Sequence, residues 1–235
     1  MTTTLNKVRP LPRLAGILYL LIAIVGGFSI GYVQSAIVED GNAVATFNNL
    51  KTNLGLMQMG ISGDIVVLVL ETWLTVLLFQ LFRGLGKTEM LIATFSRLAM
   101  AIIMAINLVI YLAPYVLVSQ SSYAESIGQT SVEAWVLLFF QLHKYGELAW
   151  QVFFAIHLFS LGFVLKKGEK TPKALGWLML IGSFGYAGDS ITQLVQVNTE
   201  QTVMVFGALL VLAVIAEFWF AFWLVIKGKV LQEVK

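Results

Sequence analysis

Long apolar segments separated by short polar segments make up most of this chain, and they predict membrane-spanning helices. Six of them have roughly 20 residues or more, enough at about 1.5 Å per residue to cross about 30 Å of hydrocarbon. They lie near residues 14–35, 58–82, 91–118, 145–165, 174–195 and 203–226. We therefore predict an all-α polytopic membrane helix bundle with six transmembrane helices, forming a single domain over residues 1–235.

A shorter apolar segment, residues 132–142, precedes the fourth predicted span. Trp135, Leu138, Phe139 and Leu142 recur there at helical spacing. Its length is too short for a complete span. We predict either an interfacial helix or an extension of span four.

The composition agrees with a membrane protein and excludes several classes of site. Of the residues, 58% are hydrophobic and 12% are charged, whereas soluble domains carry about 25% charged residues. The net charge is +2, and the basic residues fall in short loops, so no continuous basic face predicts binding to nucleic acid. The chain has no cysteine, which excludes disulfides, thiolate catalysis and cysteine-bound metals. Membrane lipids are the expected surroundings, and a homo-oligomer is compatible with the sequence.

The basic residues alternate between the two sides of the predicted bundle. On one side are Lys7, Arg9, Arg13, Arg83, Lys87, Lys166, Lys167, Lys170, Lys173, Lys227, Lys229 and Lys235. The other side holds only Lys51 and, near an interface, Lys144. The positive-inside rule then predicts a multi-pass protein of the cell inner membrane with both termini in the cytoplasm.

Glycines cluster within two of the predicted spans. They are Gly26, Gly27 and Gly31 in span one and Gly182, Gly185 and Gly188 in span five. Small residues at such spacing favour close helix–helix packing. The alternative is a ligand that approaches bare backbone.

Four short stretches resemble one family of bacterial multi-pass membrane proteins, catalogued as a domain of unknown function. The stretches are Arg13–Leu20, Ser96–Leu98, His157–Gly162 before a basic loop with Pro172, and Ala216–Leu224 leading into Lys227 and Gly228. The resemblance implies a six-helix inner-membrane protein. It implies no reaction and no cofactor.

Polar and ionisable residues inside the predicted spans are the candidates for function, because a charge at the bilayer centre costs about 2.5–3.5 kcal/mol on insertion scales. Counting along each span predicts an intramembrane polar cluster of Glu71, Arg97, Asn107, His157 and Glu217. A second, outer-side polar cluster contains Asp64, His143, Glu147, Asp189 and Gln193. Asp64 and Glu71 are seven residues apart and share a helix face. His143 with Glu147, and Asp189 with Gln193, are neighbours at i and i+4.

Acids outnumber bases among these residues. Five carboxyl groups face one deep base, Arg97, which we expect to pair with Glu217 or Glu71. A carboxylate without a partner in a low-dielectric medium is unfavourable, so the remaining acids are expected to be protonated, hydrated or occupied by a cation. The pattern favours a cavity that handles protons or substrate. The competing interpretations are a structural clamp at Arg97, a hydrated outer mouth at Asp64, Glu147 and Asp189, and a packed core histidine at His157.

Catalytic motifs give no positive support for an enzyme. No HExxH, GxSxG or P-loop pattern is present. His143 and His157 are 14 residues apart, which places them about 21 Å apart on one helix, too far to hold one haem. We predict no cofactor, and catalytic and metal-binding residues stay unassigned.

Three functional hypotheses remain from the sequence. The leading one is a protein with an acidic polar cavity between spans two, three, four and six that binds or transports a small or amphipathic molecule, with or without proton coupling. The first alternative is an intramembrane enzyme for lipid or isoprenoid substrates, using His143, Glu147, Asp64 and Asp189 as acid–base or metal-site residues. The second alternative is a non-catalytic interaction or regulatory subunit.

Overall fold

The computed structural model describes residues 11–227, and this part of the chain consists of helices joined by short connections, with no strand. We number the helices α1 (Leu11–Ile37), α2 (Ala43–Thr52), α3 (Leu54–Phe82), α4 (Lys87–Ser119), α5 (Ser121–Ile127), α6 (Gln129–Lys167), α7 (Lys173–Leu194) and α8 (Glu200–Lys227). Within α1, residues Gly27–Val33 wind as a π-helix. The predicted all-α class is confirmed.

Five of these helices are long and apolar enough to cross a membrane: α1, α3, α4, α6 and α8. The count of six predicted spans is not confirmed, because α7 is not among them. Glycines and polar residues, including Asp189 and Gln193, interrupt the apolar sequence of α7. This helix packs against both α6 and α8, so part of its surface faces protein and has less need of apolar side chains.

Helix α6 continues without a break from the outer segment into the fourth predicted span. Residues 132–142 form its first part, so the extension of span four is confirmed and the separate interfacial helix is wrong. Its 39 residues extend roughly 58 Å, longer than the hydrocarbon layer. Val132, Val136 and Phe140 of this extension are buried in one cluster with Phe47 and Leu50 of α2. The outer helices therefore share a core beyond the spans.

Helices α4 and α6 pack against each other with a repeated contact. His157 of α6 contacts the Ala93 carbonyl of α4, and His143 contacts the Asn107 carbonyl. The two carbonyls are 14 residues apart on α4, and the two histidines are 14 residues apart on α6 in the opposite order. The two helices are therefore antiparallel, with one histidine contact in each half.

Two glycines of α7, the fifth predicted span, pack closely against α8, whereas two glycines of α1, the first predicted span, do not contact another helix closely. A Cβ at Gly182 would lie 2.6 Å from Ala213 Cα, and one at Gly185 would lie 2.5 Å from Leu210 N, both on α8. The packing prediction is confirmed for these residues. It is wrong for Gly27 and Gly31, where an added Cβ would meet nothing within 4 Å.

Two of the basic connections lie together at one end of the bundle. Lys167 at the end of α6 forms an ion pair with Glu89 at the start of α4. A Cβ at Gly168 would lie 2.9 Å from Leu85 Cδ1, so the chain after α3 and the chain after α6 are in contact. The tail residues Lys7, Arg9, Lys229 and Lys235 lie outside the described residues.

Candidate functional site

The heptad-like pattern of α3 places two acids on its buried face. Buried side chains along this helix recur every three or four residues, at Met57, Ile61, Asp64, Val67, Glu71, Leu74, Leu78 and Phe82. Asp64 and Glu71 therefore face the interior of the bundle, two turns apart, as their spacing predicts. Each acid belongs to a different polar cluster.

Arg97 of α4 lies at the centre of the deeper cluster. Its side chain is 1% exposed, and its Nη2 lies 2.7 Å from Glu71 Oε2. Arg97 therefore forms a buried ion pair with Glu71, one of the two predicted partners.

His157 joins Arg97 to the backbone of α4. Its Nδ1 lies 2.9 Å from the Ala93 carbonyl, so Nδ1 carries the hydrogen. Its Nε2 lies 3.0 Å from Arg97 Nη1 and accepts from the guanidinium. This arrangement requires the neutral imidazole, which orients Arg97 without adding a second positive charge.

Two aromatic rings flank the guanidinium and connect it to a second acid. The Arg97 Cζ lies 5.3 Å from the Tyr19 ring centre and 5.7 Å from that of Phe154, within the range of cation–π attraction. The Tyr19 hydroxyl donates to Glu217 Oε2 at 3.3 Å, and the Tyr186 hydroxyl donates to Oε1 at 3.0 Å. Glu217 forms no ion pair within the described part of the chain.

A cavity of about 320 Å³ lies against this cluster. Its polar lining consists of Tyr19, Glu71, Arg97, Trp150, Glu217 and, from α7, Tyr186. The rest of the lining is apolar and comes from α1, α3, α4, α6 and α8. The predicted cavity between spans two, three, four and six is thus also lined by spans one and five.

The outer-side cluster is built around the second histidine contact. Gln34 Nε2 donates to Glu147 Oε1 at 2.5 Å, and His143 Nε2 lies 3.2 Å from the same oxygen. Asn107 Nδ2 donates to the His143 carbonyl at 2.9 Å. Asp64, Asn107, His143 and Glu147 line a second cavity of only about 10 Å³.

Two predicted assignments change in the structure. Asn107 was placed by depth with the deeper cluster, but its side chain contacts His143 in the outer one. Asp189 and Gln193 bond to each other, with the Gln193 amide 2.9 Å from both carboxylate oxygens. Neither lines the cavity beside Asp64. Asp64 itself is 6% exposed, so a hydrated mouth is wrong for this residue.

Sequence reasoning missed several polar residues of both clusters. Tyr19, Tyr186 and Gln34 are uncharged, whereas the predicted clusters consist mainly of ionisable residues inside the spans. A signal was present, since Tyr19 lies in the first third of predicted span one and Tyr186 lies among the span-five glycines. A buried tyrosine hydroxyl usually has a partner, so a tyrosine inside a predicted span indicates a nearby acceptor.

Comparison with known proteins gives a family and one distant relative but no activity. Residues 14–228 match the family described as Domain of unknown function (DUF4386). An uncharacterised protein of the archaeon Archaeoglobus fulgidus is 42% identical over 83 residues, which is 35% of this chain and 46% of the relative. The matched region thus spans less than half of that relative. No solved structure matches.

The buried ion pair predicts a specific pattern of stability. Glu71→Gln leaves the Arg97 charge buried without its counter-charge, and we expect a loss of about 3–5 kcal/mol in the free energy of unfolding. The double variant Glu71→Leu with Arg97→Met removes both charges and should recover most of that loss. Thermal unfolding in mild detergent, followed by tryptophan fluorescence, measures the difference.

The exposed pair between Glu89 and Lys167 supplies the control for this prediction. Glu89→Gln should leave the unfolding midpoint nearly unchanged, because solvent screens that pair. A Glu71→Gln variant as stable as the wild type would contradict the assigned role of the buried pair.

Proposed function

The chain belongs to the family described as Domain of unknown function (DUF4386), and we propose that it is an integral membrane protein that binds or transports a small amphipathic molecule. The main support for this proposal is the cavity of about 320 Å³, which is mostly apolar and has Arg97 and Glu217 in its wall. Ligand pockets have volumes of about 300–1,000 Å³ and combine apolar walls with a few polar groups. The cavity has both properties.

The opening of the cavity favours a ligand that arrives from the lipid. Gly27 of α1 and Val214 and Phe218 of α8 line the cavity and are also exposed on the surface of the bundle. The opening therefore lies between α1 and α8, near the middle of both helices. An opening at this depth faces the hydrocarbon of the bilayer rather than water.

The polar end of the cavity favours a head group that donates hydrogen bonds or carries positive charge. Glu217 accepts from two tyrosine hydroxyls and forms no ion pair in the described chain, and Arg97, which lies within electrostatic range, is already paired with Glu71. A carboxylate in this setting gains from a proton or from a cationic or hydroxyl-bearing ligand. Exchange of a proton for such a ligand at Glu217 would couple binding to the proton gradient.

The enzyme alternative has less support from the geometry. The cavity beside Asp64, His143 and Glu147 has only about 10 Å³, too small for a lipid or isoprenoid substrate, and the outer cavity of about 490 Å³ that Gln193 lines contains none of the four proposed catalytic residues. Within residues 11–227, no three His, Cys, Asp or Glu side chains are grouped to hold a metal ion. The hypothesis of a regulatory subunit stays a prediction.

We further propose the cell inner membrane as the location, with both termini in the cytoplasm. The contact between the connections after α3 and α6 supports this orientation, because it brings basic segments together at one end of the bundle. The absence of cysteine from the sequence makes the orientation easy to test. We expect Glu169→Cys to react with a membrane-impermeant maleimide only after cells are opened, and Asp40→Cys to react in intact cells. The reverse pattern would contradict the orientation.

Filling the opening should remove a bound molecule. We expect native mass spectrometry of the wild type in mild detergent to detect one bound amphipathic molecule per chain, and Gly27→Phe to lose it because the new ring occupies the opening. Gly31→Phe is the matched control. Gly31 lies one turn away with equally open surroundings and does not line the cavity. Equal occupancy in the two variants would count against this opening.

Neutralising Glu217 should weaken binding without loss of the fold. In Glu217→Gln we expect the occupancy of the co-purified molecule to fall about tenfold, as for one lost charge-assisted hydrogen bond. Glu200→Gln, at the exposed start of α8, should bind as the wild type does. If Glu217→Gln and Glu71→Gln both retain wild-type occupancy, the polar end has no role in binding.

A further inference from the structure

The cavity of the outer-side cluster contains buried oxygen atoms that lack partners. Asp64 and Asn107 both line it, and they are 6% and 4% exposed. Among residues 11–227, neither Asp64 Oδ1 nor Asn107 Oδ1 has a hydrogen-bond partner. The Ser29 and Tyr111 hydroxyls are also buried and have no hydrogen-bond partner there, and they lie next to the cavity rather than in its lining. Buried polar atoms without a partner are uncommon and point to an ion or a water molecule that satisfies them.

These oxygens come from three helices that meet beside Asp64. A Cβ at Gly63 would lie 3.6 Å from Ser29 Oγ, and a Cβ at Gly60 would lie 3.3 Å from the Tyr111 hydroxyl. Gly60 and Gly63 therefore allow both hydroxyls to approach α3 next to Asp64. Ser29 lies in the π-helical part of α1, a distortion often found at functional sites.

The charge of the cluster is not balanced by its own residues. His143 Nδ1 lies 3.3 Å from the Asn107 carbonyl and carries a hydrogen. Its Nε2 lies 3.1 Å from Gln34 Nε2 and accepts from this amide, which also donates to Glu147 Oε1. Neither ring nitrogen then needs an added proton, so His143 supplies no positive charge. The Asp64 and Glu147 carboxylates therefore line the cavity without a cationic side chain bonded to either of them among the described residues.

We propose that Asp64 and Asn107, with the Ser29 and Tyr111 hydroxyls beside them, bind one dehydrated sodium ion. The cavity of about 10 Å³ has room for about one water-sized particle, and a dehydrated Na⁺ is smaller than a water molecule. A water molecule would form hydrogen bonds with the oxygens but would leave the negative charge of Asp64 uncompensated. A proton on Asp64 would neutralise that charge but would leave the polar cavity unfilled.

The ligand set favours Na⁺ over other metal ions. It consists of one carboxylate and neutral amide and hydroxyl oxygens, which suit a hard ion of single charge. Ca²⁺ takes six to eight oxygens, more than this cavity offers. The ion site is separate from the proposed amphipathic-ligand site, although Ile30, Met104 and Trp150 line both cavities, and it does not depend on that function.

Thermal unfolding of the full chain in mild detergent tests the sodium site. We measure the unfolding midpoint in NaCl, KCl and choline chloride at equal ionic strength. We expect NaCl alone to raise the midpoint, with a saturable dependence on its concentration. Asp64→Asn should abolish this rise, and Asp189→Asn, in the acid that bonds to Gln193, should retain it.

A second variant keeps the test decisive if Asp64→Asn does not fold. Ser29→Ala removes one oxygen and no charge, and we expect it to increase the half-saturating NaCl concentration about tenfold. An equal midpoint in the three salts for the wild type would overturn the sodium site. So would a rise by NaCl that persists unchanged in Asp64→Asn or Ser29→Ala.

Discussion

The structure depends on placing one fully buried arginine within an apolar bundle. Arg97 is 1% exposed, and an unpaired charge at this depth would be strongly unfavourable. Glu71 supplies the counter-charge, neutral His157 accepts one N–H, and the rings of Tyr19 and Phe154 flank the guanidinium. These side chains come from α1, α3, α4 and α6, so satisfying one charge fixes how four helices meet.

The repeated contact between α4 and α6 gives the bundle two levels of polar residues, and the charges of the two levels are compensated differently. At the deeper level, Arg97 neutralises Glu71, and Glu217 forms hydrogen bonds with two tyrosines and no ion pair in the described part of the chain. At the outer level, the Gln34 amide bonds to both His143 and Glu147, and Asp64 Oδ1 has no hydrogen-bond partner among residues 11–227. Each level therefore has a carboxyl group beside a cavity that no ion pair compensates. A purely structural role, in which polar groups only hold the helices together, would not explain an uncompensated acid at both levels.

The sequence predicted the helical class and the buried acids because both follow from periodicity. Asp64 and Glu71 recur at the spacing of the buried face of α3. Arg97 was expected to pair with a carboxylate because an unpaired charge inside the membrane is unfavourable. Pairwise geometry was not predictable, since the choice between Glu71 and Glu217 depends on helix order around the bundle. Asn107 was misplaced because depth along one helix does not say which neighbour it meets. Tyr19 and Gln34 were missed because uncharged residues give a weaker signal in an apolar span.

The central claim is that the cavity beside Arg97 and Glu217 is a ligand site open to the lipid between α1 and α8. A high-resolution structure of the protein in lipid would test it most directly. The account predicts elongated density for one molecule that enters between Gly27 and Phe218 and places its polar end against Glu217. A cavity closed by neighbouring side chains, or filled by ordered water alone, would contradict it.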